Sequence, residues 1–111
     1  MKDQTGFWSI DAIETDRARS NNPYLEFLRI PAMSAGVYSL AAGSVDTQSP
    51  HGQDELYYVV RGKARMRAGA VDRPIAEGSV IFVGANVEHK FHDIEAALTV
   101  LVFFAPAEVE S

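Results

Sequence analysis

Seven short β-rich runs, each cut off by glycine, proline or asparagine, occupy most of the chain beyond residue 23. They cover 24–30, 37–40, 55–60, 64–67, 79–83, 89–92 and 98–104. Runs of this length with turn signals between them predict an all-β sandwich or barrel. Residues 1–23 read differently, as an N-terminal arm. Within it a weak helical pattern starts at Ser9-Ile10-Asp11-Ala12-Ile13-Glu14, with Ser9 as the cap, and Asn21-Asn22-Pro23 stops it. The division that follows is an arm over 1–23, a barrel over 24–107 and a short tail over 108–111.

The chain has 111 residues, of which 47% are hydrophobic and 23% charged, so one core is available. Folding at this size buries roughly 60% or more of the unfolded surface. Cysteine is absent, which excludes a disulfide framework and any thiolate metal site. The N-terminal stretch lacks the apolar region of a signal peptide, and the longest apolar run, 98–106, is too short to span a bilayer. The expected compartment is the cytoplasm, with no membrane as partner. Net charge is −5, and the densest basic group, Arg61, Lys63, Arg65 and Arg67, alternates along one segment. Such alternation describes a solvated strand face, so nucleic acid is not an expected partner.

Residues 56–67 read as a hairpin, an apolar strand meeting an alternating one across Arg61-Gly62, with glycine supplying positive φ. On the second strand Ala64 and Met66 face a core while Lys63, Arg65 and Arg67 face water.

All three histidines fall in two short segments, His51 before this hairpin and His89 with His92 after a glycine-bounded strand. If a strand runs from Ser49, then Ser49, His51, Gln53, Glu55 and Tyr57 project to one face. A carboxylate on the buried side of such a strand is costly unless something positive compensates it. Two readings fit these residues alone. In one, a divalent metal ion compensates Glu55, with His51 and His89 completing the ligand set. In the other, His51 is a loop histidine and Glu55 is solvated at the mouth of the strand.

Spacing separates them. Gly43, five residues, Ser49-Pro50-His51, three residues, Glu55, six residues and Gly62 resemble the first motif of the cupin superfamily. That motif reads Gly, five residues, His-x-His, three or four residues, Glu, six residues, Gly. Gly78, five residues, Gly84-Ala85-Asn86, two residues, His89, three residues and Asp93 resemble the second. That one reads Gly, five residues, Pro-x-Gly, two residues, His, three residues, Asn. Ser49 stands in place of the first His, Gly84 in place of Pro, Asn86 in place of Gly and Asp93 in place of Asn. Asn86 can keep a left-handed turn, and Asp93 keeps a short polar group on the face shared with His89.

The resemblance implies a double-stranded β-helix, or jelly-roll barrel, holding one divalent ion (Fe, Mn, Ni or Zn) through His51, Glu55 and His89. Ser49 then faces the metal through water or leaves a coordination position open to a substrate. Gln53 is a candidate substitute ligand or donor to a ligand. His92, three residues beyond His89, points to the opposite strand face. Tyr38, Tyr57, Met66, Phe82, Phe91 and Phe103 are candidates for the pocket wall, and Trp8 for pinning the arm to the barrel or to a second subunit. A homodimer is expected, which would cover open sheet edges. Two functions are compatible with this. One is a metal-dependent enzyme on a small organic molecule, dioxygenase-like or an isomerase or lyase. The other is a small-molecule binding or sensing barrel whose metal is structural or vestigial.

Overall fold

The computed structural model describes residues 5–109. One helix, α1 (Ile10–Ser20), precedes six strands: β1 (Tyr24–Ile30), β2 (Met33–Leu40), β3 (Asp54–Ala68), β4 (Val71–Ala76), β5 (Val80–Val83) and β6 (His89–Ala105). All pairings are antiparallel, in the order β1-β2-β6-β3-β4, and β5 adds to the first part of β3. The strands form a barrel because β3 and β6 are long enough to bend through both halves of it. The second half of β6 lies between β2 and the first half of β3, and its first half runs beside the second half of β3.

The hairpin expected over 56–67 is therefore corrected to one continuous strand. Gly62 does have positive φ, at 107°. It sits in a stretch of shifted register between Val59 and Arg65 rather than in a turn. A Cβ there would collide with the carbonyl oxygen of Ala97 and lie 2.7 Å from the Cα of Leu98. Glycine thus allows β3 to press against β6 at the bend, a position where a bulge changes strand direction. The phase of burial changes there too: Glu55, Tyr57 and Val59 point inward before the bend, Ala64 and Met66 after it. β6 does the same at Asp93, whose φ is 47°. His89 and Phe91 are buried before it; Ile94, Leu98, Val100, Val102 and Phe104 are buried after it. Asp93 itself turns outward, its side chain 74% exposed, so it does not share the inner face with His89 as expected. Asn86 keeps its left-handed turn at φ 65°.

β4 is absent from the sequence reading because Pro74 interrupts its pattern; it is an edge strand, where proline costs least. The helix follows its sequence signals closely. Ser9 Oγ accepts from the Ala12 N–H at 3.2 Å, and Asn21 closes the helix in the left-handed region. Ile13 is buried, and Glu14 accepts from Ser39 Oγ at 3.0 Å, which ties α1 to β2. Replacing Ser9 by alanine is expected to lower stability by about 1 kcal/mol, read as a small drop in the urea midpoint with an unchanged slope. The Trp8 ring lies 5.2 Å from that of Phe27, so the arm is pinned to β1 of the same chain.

On the outer face of β3 the bases meet acids: Arg61 with Asp11, Lys63 with Glu95, and Arg65 and Arg67 both with Asp72. His92, on the face opposite His89, joins this group at 3.0 Å from Asp72. Burial pushes the Asp72 carboxyl up, but hydrogen bonds from His92 and Arg65 outweigh it and hold the group below its ordinary value. Among the described residues, no helix is long and apolar enough to cross a membrane.

Candidate metal centre

Glu55 opens β3 and His89 opens β6, so both side chains start at the same end of the barrel and point inward. Their side chains are 1% and 0% exposed. His51 joins them from a loop. Residues 49–53 do not form a strand, so the shared parity of Ser49, His51, Gln53 and Glu55 does not hold upstream of Asp54. The loop is held to its neighbour by the Asn86 N–H, which donates to the His51 carbonyl at 2.7 Å. His51, Glu55 and His89 each offer one ligand atom within 4.8 Å of the other two.

The donor set fits a divalent cation. Nδ1 of His89 lies 2.8 Å from the Val87 carbonyl oxygen, and Nδ1 of His51 lies 3.1 Å from Glu108 Oε2. In the neutral His89 ring this hydrogen bond puts the proton on Nδ1 and leaves Nε2 as a lone-pair donor, the arrangement that metal-ligating histidines use, and the Glu108 carboxylate offers His51 Nδ1 an acceptor for the same arrangement. Nε2 of His89 is buried without a hydrogen-bond partner, although Glu55 Oε1 is 3.2 Å away. Two close atoms that are not aligned on each other are suited to meeting a third. Burial alone would lower the His89 pKa, but the closeness of the Glu55 carboxylate and the hydrogen bond to the Val87 carbonyl outweigh it and raise it. The pair is thus built to hold positive charge, from a proton or from a cation.

Glu55 is steadied from behind. Tyr57 donates to Glu55 Oε2 at 2.6 Å and lies 3.2 Å from Gln48 Oε1. Burial, followed by the Glu55 charge and hydrogen bond, raises the Tyr57 phenol well above its ordinary value, so it stays a donor. Gln48 is held in turn by Asp46, a buried carboxylate that also accepts from Tyr38 Oη at 2.6 Å and the Phe91 N–H at 2.9 Å.

A cavity of about 170 Å³ opens beside these groups, lined by His51, Glu55, Tyr57, Tyr24, Tyr38, Gln48, Val102, Phe104 and Glu108. Tyr24 reaches it across Gly36, where a Cβ would overlap the phenol ring, and its hydroxyl is buried without a partner. Burial, then the charges of Glu108, Glu26 and Glu55, raises this phenol, so Tyr24 is a standing hydrogen-bond donor.

Of the expected wall residues, Tyr38 and Tyr57 line the cavity. Met66 and Phe91 are buried core; the Phe91 ring packs 5.2 Å from Tyr57 and 6.4 Å from Tyr38. Phe82 is 64% exposed and pairs across the sheet with Leu56, on the outer face. Phe103 is also turned outward, and Phe104 takes the inner position. Alternation counted from His89 reaches Phe103, and the irregularity at Asp93 shifts it by one. Ser49 is exposed, on a depression it shares with Arg67, Glu88, His92 and the ligand candidate His89, and it does not line the cavity beside Glu55. Its neighbour Gln48 turns in instead. Gln53 is half-buried with Oε1 unpartnered, and it does not line the cavity. Asp46, Gln48, Tyr24 and Glu108 are absent from the sequence reading, since none shares a strand register with Glu55.

A β-barrel with two imidazoles and a carboxylate gathered at one mouth defines the class: a small barrel with an interior site of metal-ligand type. The family is then direct. The cupin domain model matches residues 36–104, and the chain belongs to the cupin family. An uncharacterized protein of Streptomyces coelicolor is 48% identical over 99 residues, covering 89% of this chain and 94% of its own length. Solved structures share the fold at low identity. A Thermus thermophilus protein superposes with a TM-score of 0.67 at 23% identity, over 76% of this chain and 82% of its own. KdgF from a Halomonas species gives 0.68 at 21%, over 75% and 76%. The DMSP lyase DddQ of Ruegeria pomeroyi gives 0.67 at 18%, over 79% of this chain and 49% of its own.

Proposed function

We propose that this chain is a metal-dependent enzyme acting on a small oxygen-bearing organic molecule, with His51, Glu55 and His89 as the ligands of one divalent ion. The observation that supports this most is the gathering of two imidazoles and a buried carboxylate with their ligand atoms within 4.8 Å of one another, each imidazole having an acceptor beside its Nδ1. A bound Fe, Mn, Ni or Zn ion would supply Lewis acidity, or redox chemistry if iron, at coordination positions that three protein ligands leave open. The chain's own residues do the rest. Tyr24 donates to an acceptor on the ligand, Tyr57 holds Glu55 in place, and Val102 and Phe104 exclude water from the apolar side.

The named activity of DddQ lends support to a lyase, and the two-His, one-carboxylate set to a dioxygenase. Oxygen consumption by Fe(II)-loaded protein over a panel of small carboxylates and enols distinguishes them, since a lyase turns over substrate without consuming oxygen. The second reading, a binding barrel, draws on Ser49, an exposed hydroxyl where the motif has its first histidine, which leaves three side chains of ligand type. Tight ligand binding with no turnover under any of the metals would favour it. Both readings assign the protein to the cytoplasm, with a small molecule rather than nucleic acid or membrane as its partner.

Homodimerisation is part of the same proposal. Leu56, Tyr58, Val80 and Phe82 are 42%, 41%, 63% and 64% exposed and adjoin across β3 and β5, with Leu101 and Phe103 beside them on β6. A contiguous apolar stripe of this kind supports a partner surface, and a second copy presents a matching one. Sedimentation should give a dimer for the wild type and a monomer for Val80→Glu/Phe82→Glu. A monomeric wild type at tens of micromolar removes this part of the proposal.

A further inference from the structure

We infer that Glu108 is a positioning residue of the metal centre, which holds His51 so that its Nε2 faces Glu55 and His89; this rests on the metal-centre reading above.

After β6 the chain folds back over the mouth of the barrel, and its backbone is tied down at three points. The Ala107 N–H donates to the Pro31 carbonyl at 3.3 Å, the Glu108 N–H to Ser34 Oγ at 2.9 Å, and Arg29 Nη2 to the Glu108 carbonyl at 2.7 Å. Ser34 is fully buried, so this strap is anchored in the barrel wall. None of these bonds uses the Glu108 carboxylate. It turns into the cavity and meets His51 Nδ1 at 3.1 Å.

The two histidines differ in how they are oriented. His89 is oriented by its own neighbourhood, through the Val87 carbonyl two residues away. His51 lies on a loop, its ring edge-on to Phe104 at 5.0 Å, and its side chain's polar contact is with Glu108. A loop histidine needs an outside acceptor to fix its tautomer and tilt, and Glu108 brings one from 57 residues further along the chain. Glu108 does not join the group of mutually close ligand atoms, so it acts through His51 and not as a ligand itself.

Two measurements test this. The first is the ¹⁵N signature of His51 in metal-free protein at mildly alkaline pH, comparing wild type, Glu108→Gln and Glu108→Ala. Wild type should show the Nδ1–H form, and Glu108→Ala a mixture dominated by Nε2–H. The second is Zn(II) affinity by competition with a chromophoric chelator, with His89→Ala as the control. Glu108→Ala should bind roughly 10–100-fold more weakly, and Glu108→Gln, which keeps an accepting oxygen, should recover most of the loss. Wild-type ring signals and affinity in Glu108→Ala, with His89→Ala not binding, would overturn the positioning role and leave the metal centre intact. A His51 signature that follows Glu108 in a wild type that binds no Zn(II) would leave the positioning role and remove the metal centre.

Discussion

Glu55→Gln and His89→Ala protein, purified without an affinity tag, should carry background metal where the wild type carries close to one ion per chain. Each change removes a donor that the other two cannot replace, so the loss of affinity should exceed the roughly hundredfold that marks the upper range for a merely supporting group. The glutamine variant is the cleaner of the two. It preserves the shape of the side chain and can still accept from Tyr57, so it separates loss of charge from loss of packing. His89→Ala leaves Glu55 buried beside Tyr57 without its imidazole partner, and that variant should also be less stable. Linkage gives a second readout: metal at about a thousandfold over its Kd stabilises the folded state by about 4 kcal/mol. A rise in Tm on adding metal is therefore expected for the wild type and not for either variant. Equal metal content in all three proteins would remove the ligand assignment.

Gly62→Ala is expected to be the most damaging glycine-to-alanine change among the described residues. Two costs combine there: a positive φ of 107° that alanine tolerates poorly, and a Cβ driven against the backbone of Ala97 and Leu98. Strain of this kind costs about 1–3 kcal/mol, and overpacking a similar amount. A total of about 2–6 kcal/mol would lower Tm by on the order of 10–30 °C at this chain length. Gly43→Ala is the matched control. Gly43 has φ 77° but no atom within 4 Å of its would-be Cβ, so it pays the conformational cost without the collision. It should lose about 1 kcal/mol. If the two substitutions prove equally mild in urea unfolding, β3 does not press on β6 at this bend.

The same glycine shows why part of the fold was legible in the sequence and part was not. Alternation marked Glu55, Tyr57 and Val59 as one inward-facing set and Ala64 with Met66 as a second, and both sets are buried in the structure. What alternation does not distinguish is a turn from a bulge. A change of phase at a glycine reads the same either way, and the long strand was split in two. Asp93 produced the corresponding error in β6, where the phase shift moves Phe104 inward in place of Phe103. The helix was plain because its caps are local: Ser9 and Asn21 each act within three residues of themselves.

The candidate site divides along the same line. Glu55 and His89 lie at the starts of strands, where motif spacing and parity agree. His51 reached the same place by motif spacing alone, since the strand that parity required there does not form. Asp46, Gln48, Tyr24 and Glu108 approach from a loop, an edge strand and the segment after β6. Their meeting is a property of the closed barrel, and nothing in their local sequence marks it.

One ion held among three side chains is tested directly by an anomalous difference map at the absorption edge of the metal found in the purified protein. The result expected is a single strong peak at bonding distance, about 2.0–2.2 Å, from Nε2 of His51, Nε2 of His89 and a carboxylate oxygen of Glu55, with Glu108 still on Nδ1 of His51. A peak elsewhere, or none in crystals of protein shown to contain metal, would contradict it.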